Sequence, residues 1–139
     1  DPPARFEAGT PPIVQAVGLA AALDYVDGVG REAIAQHEAD LTAYATQRLR
    51  ELNWVRIIGE VKGKGPIVAF ETQGIHAHDL STVLDREGVA VRGGHHCAQP
   101  LMARFGVMST ARASFALYNT REEVDALVAA LNVARKVFG

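Results

Sequence analysis

Apolar positions recur along the chain with two periods, and the change of period marks out the elements. Residues 13–25 are mostly Ala, Val, Leu and Gly, and glycines follow at Gly28 and Gly30. That run predicts a largely buried helix with glycine at its exit. Across residues 31–52, Ile34, Leu41, Ala45, Leu49 and Leu52 repeat at helical spacing with charged residues on the other face, so a second, amphipathic helix is expected. His37 lies on it, in a surface or half-buried setting. Residues 54–61 and 67–70 carry β-branched runs around Lys62-Gly63-Lys64-Gly65-Pro66, which is a hairpin signal. The Gly-Lys-Gly there lacks the spacing of a phosphate loop, and no helix follows it.

Residues 73–78 read as a loop. A short helix from His78 or Asp79 follows, carries Leu80, Val83 and Leu84, and ends at Gly88. Residues 89–91 read as a strand, 100–105 as a helical turn and 111–117 as a strand. The last strand places Ala113, Phe115 and Leu117 on one face, with Arg112 and Ser114 on the other. Thr120 and Glu123 form a capping box. The final helix buries Val124, Leu127, Val128, Leu131, Ala134 and Phe138. This order predicts an α+β domain: a small, mostly antiparallel sheet with helices packed on one side.

With 139 residues, 48% of them hydrophobic, the chain is long enough for one domain with a core. The net charge of −2, without a basic run, gives no footprint for nucleic acid. No apolar run reaches the roughly 18 residues of a membrane span. The single cysteine cannot make an intrachain disulfide, so no oxidising compartment is implied; a cytoplasmic setting is expected. Residues 1–12 read as an extended leading segment rich in proline, without the apolar centre of a signal peptide. With no initiator Met, a fragment or processed chain is expected.

The chemistry concentrates in residues 89–101, VAVRGGHHCAQPL. Cys97 follows Gly93, Gly94, His95 and His96, with Arg92 just upstream. Glycine at a strand exit opens turn conformations closed to other residues. Cationic neighbours favour the thiolate, the reactive form of cysteine. A buried core cysteine is the alternative reading. Arg112 is either a solvated or ion-paired strand residue or a two-point clamp for a carboxylate. His76 and His78, beside Asp79, make an H-x-H pair; capping and loop roles compete there with a metal site.

Four stretches occur together: RFEAGTP (5–11), HAHD (76–79), VRGGHHCAQPL (91–101) and RASFALYNT (112–120). In this order and spacing they resemble the C-terminal part of a group II, SufS-type cysteine desulfurase. This is a class V aminotransferase-like enzyme dependent on pyridoxal 5'-phosphate. The resemblance implies the small C-terminal domain of a fold-type I pyridoxal-phosphate enzyme, spanning residues 1–139 with its leading segment and connecting helix. The large cofactor-binding domain is expected outside this chain. It implies conversion of L-cysteine to L-alanine with a persulfide left on Cys97, for iron–sulfur cluster assembly. It further implies that Arg112 binds the substrate carboxylate, with Arg92 beside it. Gly94, His95 and His96 shape the active-site loop, and Thr10 reaches the cofactor phosphate of the partner subunit in a homodimer. His78 is implied to join the zinc of a SufU-type acceptor; a SufE-type acceptor is the other partner considered.

None of Lys62, Lys64 and Lys136 lies in the family's Ser-x-His-Lys context. The polypeptide alone is therefore expected neither to hold the cofactor covalently nor to turn over cysteine. The apolar stretch 13–22 is expected to leave an exposed patch. Selenocysteine lyase, a non-catalytic thiol or protein-interaction module, and a metal-binding domain using His76, His78, His95, His96 and Cys97 are the competing readings.

Overall fold

A computed structural model describes all of residues 1–139. It forms two compact units, Asp1–Ala35 and Gln36–Gly139. The first holds a single 3₁₀ turn, Ala4–Phe6, and helix α1, Ile13–Val29. The expectation that α1 is largely buried fails, since none of its residues is buried. Its apolar residues are spread around the helix rather than gathered in a stripe, and Ile13, Val14, Val17, Leu19 and Leu23 all face solvent. The exposed apolar patch expected over residues 13–22 is thus present.

Helix α2, Arg31–Arg50, runs into the second unit, which continues with β1 (Val55–Ile58), β2 (Ile67–Thr72), α3 (Ala77–Arg86), β3 (Arg92–Gly94), α4 (Gln99–Phe105), β4 (Thr110–Ser114) and α5 (Arg121–Phe138). The four strands form one antiparallel sheet in the order β1-β2-β4-β3. The α+β architecture therefore stands as expected. Leu41, Ala45 and Leu49 of α2, Leu80 and Leu84 of α3, and Val124, Leu127, Leu131 and Ala134 of α5 meet Val68, Phe70, Ala111 and Ala113 on one sheet face. Period-2 burial along β2 and period-3.6 burial along the helices join there in one core.

Several boundaries differ from expectation: β1 spans Val55–Ile58 rather than 54–61, and β4 ends at Ser114 rather than Leu117, so Phe115 and Leu117 lie beyond the strand. Three further differences have a local reason. The apolar run 89–91 precedes β3 rather than forming it. Val89 and Val91 pack on the core, and the Val89 amide donates to the Leu84 carbonyl (2.9 Å), closing α3. Strand pairing begins at Arg92, opposite Arg112. Helix α3 starts at Ala77 because His76 caps it, its Nδ1 accepting from the His78 amide at 3.2 Å. At the C-terminus Phe138 lies in the fraying last turn and is 47% exposed, so the buried stripe ends at Ala134.

The end of β4 and the start of α5 are fixed by a closed hydrogen-bond set. Thr120 Oγ1 accepts from the Glu123 amide, and Glu123 Oε2 accepts from the Thr120 amide (2.9 Å) and from Asn119 Nδ2 (3.0 Å). Asn119 Oδ1 accepts from the Ala116 amide (2.8 Å), and the Asn119 carbonyl accepts from His37 Nε2 on α2 (2.9 Å). The exposed His37 thus ties two helices together.

Candidate active site

Strand pairing builds the site. Arg92 and Arg112 are Cα partners across β3 and β4, so their side chains rise from the same sheet face. It is the face opposite the buried Ala111 and Ala113. Like charges held directly opposite each other destabilise a sheet, and neither guanidinium takes part in any of the chain's ion pairs. Arg112 Nε is buried without a hydrogen-bond partner. On the other side of Arg112 the β2 partner is Ala69, whose small side chain leaves room. Two unpaired guanidinium groups in this setting form a ready subsite for an anion.

Beyond β3 the chain turns sharply. Gly94 has φ 134°, a value that favours glycine. Residues 95–98 then make a turn closed by the Ala98 amide donating to the His95 carbonyl at 2.9 Å. Both central residues have positive φ, 56° at His96 and 59° at Cys97. That is the sign pattern of a primed turn, ordinarily filled by glycine or asparagine. A non-glycine residue in this region costs about 1–2 kcal/mol, and strain of this kind gathers at functional sites. The strained turn sets the Cys97 thiol, exposed and free, at its tip.

His96 points back from the turn. Its Nε2 lies 3.0 Å from the Thr110 carbonyl oxygen and 2.9 Å from Thr110 Oγ1. A carbonyl only accepts, so Nε2 carries the proton and Nδ1 a lone pair. That Nδ1 is buried without a partner. Burial holds the His96 pKa below the ordinary imidazole range; the Thr110 carbonyl opposes the shift, while Arg112, Arg92 and His95 add to it. The ring is therefore neutral at neutral pH. Thr110, 1% exposed at the start of β4, is a site residue that sequence reading missed. A threonine just before an apolar strand carries no signal of its own; only the turn shows what it does.

The structure brings Arg92, Gly94, His95, His96, Cys97 and Arg112 to one sheet edge. His78 is exposed in the first turn of α3, and β3 runs close to that turn: a Cβ at Gly93 would lie 2.7 Å from the Ala77 carbonyl oxygen. Thr10 lies exposed in the first unit, Asp1–Ala35. His76, His78, His95, His96 and Cys97 do not gather into a metal-ligating group. A cleft of about 400 Å³ runs beside Ile75, His76, Met108 and Ser109, and Cys97 is not among its lining residues. The thiol stands on an open surface.

The sequence profile described as aminotransferase class-V matches residues 1–127. The chain belongs to this family. A probable cysteine desulfurase of Staphylococcus epidermidis is 51% identical over 139 residues, a stretch that makes up 99% of this chain and 34% of that protein. Among solved structures, the cysteine desulfurase CsdA of Escherichia coli is similar with a TM-score of 0.89 and 36% identity, over 99% of this chain and 34% of that one. The cysteine desulfurase of Thermococcus onnurineus is similar with a TM-score of 0.89 and 39% identity, over 98% and 34%. The chain thus spans about a third of the length of the class-V relatives it matches.

Proposed function

We propose that this chain is the C-terminal portion of a group II, SufS-type cysteine desulfurase, a pyridoxal-phosphate enzyme that converts L-cysteine to L-alanine and leaves a persulfide on Cys97. The observation that carries the reading is an exposed thiol at the tip of a strained turn, beside two unpaired arginines. A free amino acid offers a carboxylate to the arginines and a sulfur to the thiol. Arg112, with its unpartnered Nε, takes the carboxylate in two-point fashion, and Arg92 adds charge beside it.

Pyridoxal phosphate, when bound, supplies an electron sink conjugated to the α-carbon of the substrate. Cys97 Sγ attacks the substrate sulfur. The new S–S bond forms as the substrate carbon–sulfur bond breaks, and the electron pair of that bond stays with carbon, which gains a proton and leaves as alanine. Thiol and cysteine in, persulfide and alanine out, the atoms balance.

Within this chain, the exposed hydroxyl of Thr10 suits the cofactor phosphate of a partner subunit in a homodimer. The lysine seat is a different matter. Lys62 and Lys64 sit between β1 and β2, with β1 at the opposite sheet edge from β3, and Lys136 lies in the last turn of α5. The covalent seat is therefore assigned to protein outside these 139 residues, and the apolar surface of α1 is assigned to contact with it.

The persulfide on an exposed turn is open to an acceptor of SufE or SufU type. The exposed His78, on the turn of α3 that β3 approaches, is assigned the role of meeting a zinc-bearing acceptor. Supply of sulfur for iron–sulfur clusters and a cytoplasmic location complete the reading. The test is persulfide formation from L-cysteine by the full-length protein loaded with pyridoxal phosphate. Sulfur on Cys97 together with an equal yield of alanine supports it. Alanine without sulfur on Cys97, or no alanine, rejects it. His78→Ala should then slow transfer to a zinc-bearing acceptor while leaving persulfide formation intact.

A further inference from the structure

Resting on that reading, we propose that His96 is a positioning residue: its Nε2–H, bonded to Thr110 at the start of β4, holds the left-handed turn that presents Cys97.

Three observations converge. First, the turn is locally unfavourable. Two consecutive non-glycine residues sit at φ 56° and 59°, and a single turn bond, from Ala98 to His95, closes it. Strain persists only where the surroundings over-determine it. Second, the surroundings supply one strong anchor from inside the turn. The His96 ring reaches Thr110 with a proton shared between the carbonyl at 3.0 Å and the hydroxyl at 2.9 Å. The neighbouring positions give no comparable anchor: His95 and Cys97 are exposed, and neither side chain makes a hydrogen bond. Third, the anchor point is rigid. Thr110 is 1% exposed and pairs with Gly94, so the residue that receives the ring is registered against the strand that launches the turn. Two residues along β4 stands Arg112, on the same face as Thr110. The His96 bond therefore fixes the thiol relative to the anion subsite through one short stretch of strand.

The geometry also separates this role from proton transfer. The Nε2 proton is committed to Thr110. The Nδ1 lone pair is buried with nothing beside it to accept from. A ring used to carry protons would need one nitrogen free to face the reacting groups. The fixed tautomer instead suits a strut, whose loss would misplace the nucleophile rather than change its chemistry.

The experiment uses the full-length, cofactor-loaded protein with His96→Ala, His96→Gly and His96→Gln. Each variant is assayed for persulfide formation across a range of L-cysteine concentration and pH, and for hydrogen exchange at the Ala98 amide. Glutamine places an N–H donor near the position of Nε2 without an imidazole. Glycine removes the φ penalty but also the anchor.

The expected result is a fall of roughly tenfold in kcat for His96→Ala and His96→Gly with little change in KM, and recovery of most of the loss in His96→Gln, as for one lost neutral hydrogen bond and the order it imposes. The pH profile keeps its shape, and Ala98 exchange quickens in the alanine and glycine variants only. Wild-type rates in His96→Ala, with unchanged Ala98 exchange, would overturn the proposal. So would a His96→Gln variant as slow as His96→Ala with an altered pH profile, because the ring would then be acting through its protons. Should even the wild-type protein form no persulfide, the desulfurase reading fails on its own. The Ala98 exchange still decides whether His96 holds the turn.

Discussion

The β3–β4 edge and the junction of α2 with α5 are built from the same sheet and the same core, yet they treat local rules in opposite ways. At the α2–α5 junction the polar groups form a connected set of hydrogen bonds and ion pairs. The capping box at Thr120 is reciprocal, and Asn119 bridges three backbone and side-chain groups. Tyr44 and Arg48 both reach Asp125, Arg48 pairs also with Glu51, and Arg121 lies over the Tyr44 ring at 5.1 Å. At the β3–β4 edge two arginines face each other without a counter-ion, two non-glycine residues hold positive φ, and two buried nitrogens lack partners. Sequences that fold well agree with themselves at every level, and the exceptions collect where there is chemistry to do. The contrast marks the β3–β4 edge as the candidate site.

Substitutions can break or sharpen that contrast. The largest effect is expected from Cys97→Ser in the full-length protein: persulfide formation should vanish, with cofactor absorbance and folding unchanged. Arg112→Met should lower kcat/KM for L-cysteine by about 100-fold, the scale of a lost charge-assisted pair. It should leave the thermal midpoint no lower, because it removes a buried orphan nitrogen and a like-charge neighbour. Cys97→Gly should abolish activity yet raise stability by about 1 kcal/mol, since glycine carries no penalty at φ 59°. A destabilised glycine variant in denaturant titration would mean that the turn is not strained.

At the satisfied junction the signs reverse. Thr120→Ala should cost about 1 kcal/mol through loss of the helix cap, without touching turnover. The smallest effect is in pH dependence. Tyr44 and Arg48 hold the Asp125 carboxyl below its usual range, and Asn119 with the Thr120 amide does the same for Glu123. Their contribution is complete above the ordinary carboxylate range and is lost as pH falls through the lowered folded values. The Tyr44 phenol, raised chiefly by its hydrogen bond to Asp125, behaves with the opposite sign, losing its contribution as pH rises through its folded value. Asp125→Asn should therefore flatten the acid limb of the stability profile slightly. An unchanged limb would show that solvent screens this exposed network completely.

Most of the scaffold was legible in the sequence because it obeys periodicity. The α5 stripe, the α2 stripe and the capping box follow from spacing alone; burial follows the α2 stripe at Leu41, Ala45 and Leu49 and the α5 stripe through Ala134, and the capping box is present at Thr120 and Glu123. Composition predicts a buried α1, yet the helix is exposed, because composition reports how apolar a helix is, not what covers it. The apolar run predicts the strand ahead of Cys97 three residues early, because such a run marks core contact as readily as pairing. The site was partly legible: Cys97, Arg92 and Arg112 stand out by residue type, and glycines mark the turn. The Arg92–Arg112 juxtaposition and the bond from His96 to Thr110 were not, since both depend on register between strands separated by α4.

The central claim is that this edge presents Cys97 as the thiol that takes sulfur. Its most direct test is peptide mass spectrometry of the full-length, cofactor-loaded protein after brief exposure to L-cysteine. The account predicts the mass of one added sulfur on the peptide containing Cys97, absent without substrate and lost on reduction. An unmodified Cys97 alongside continuing alanine production would contradict it.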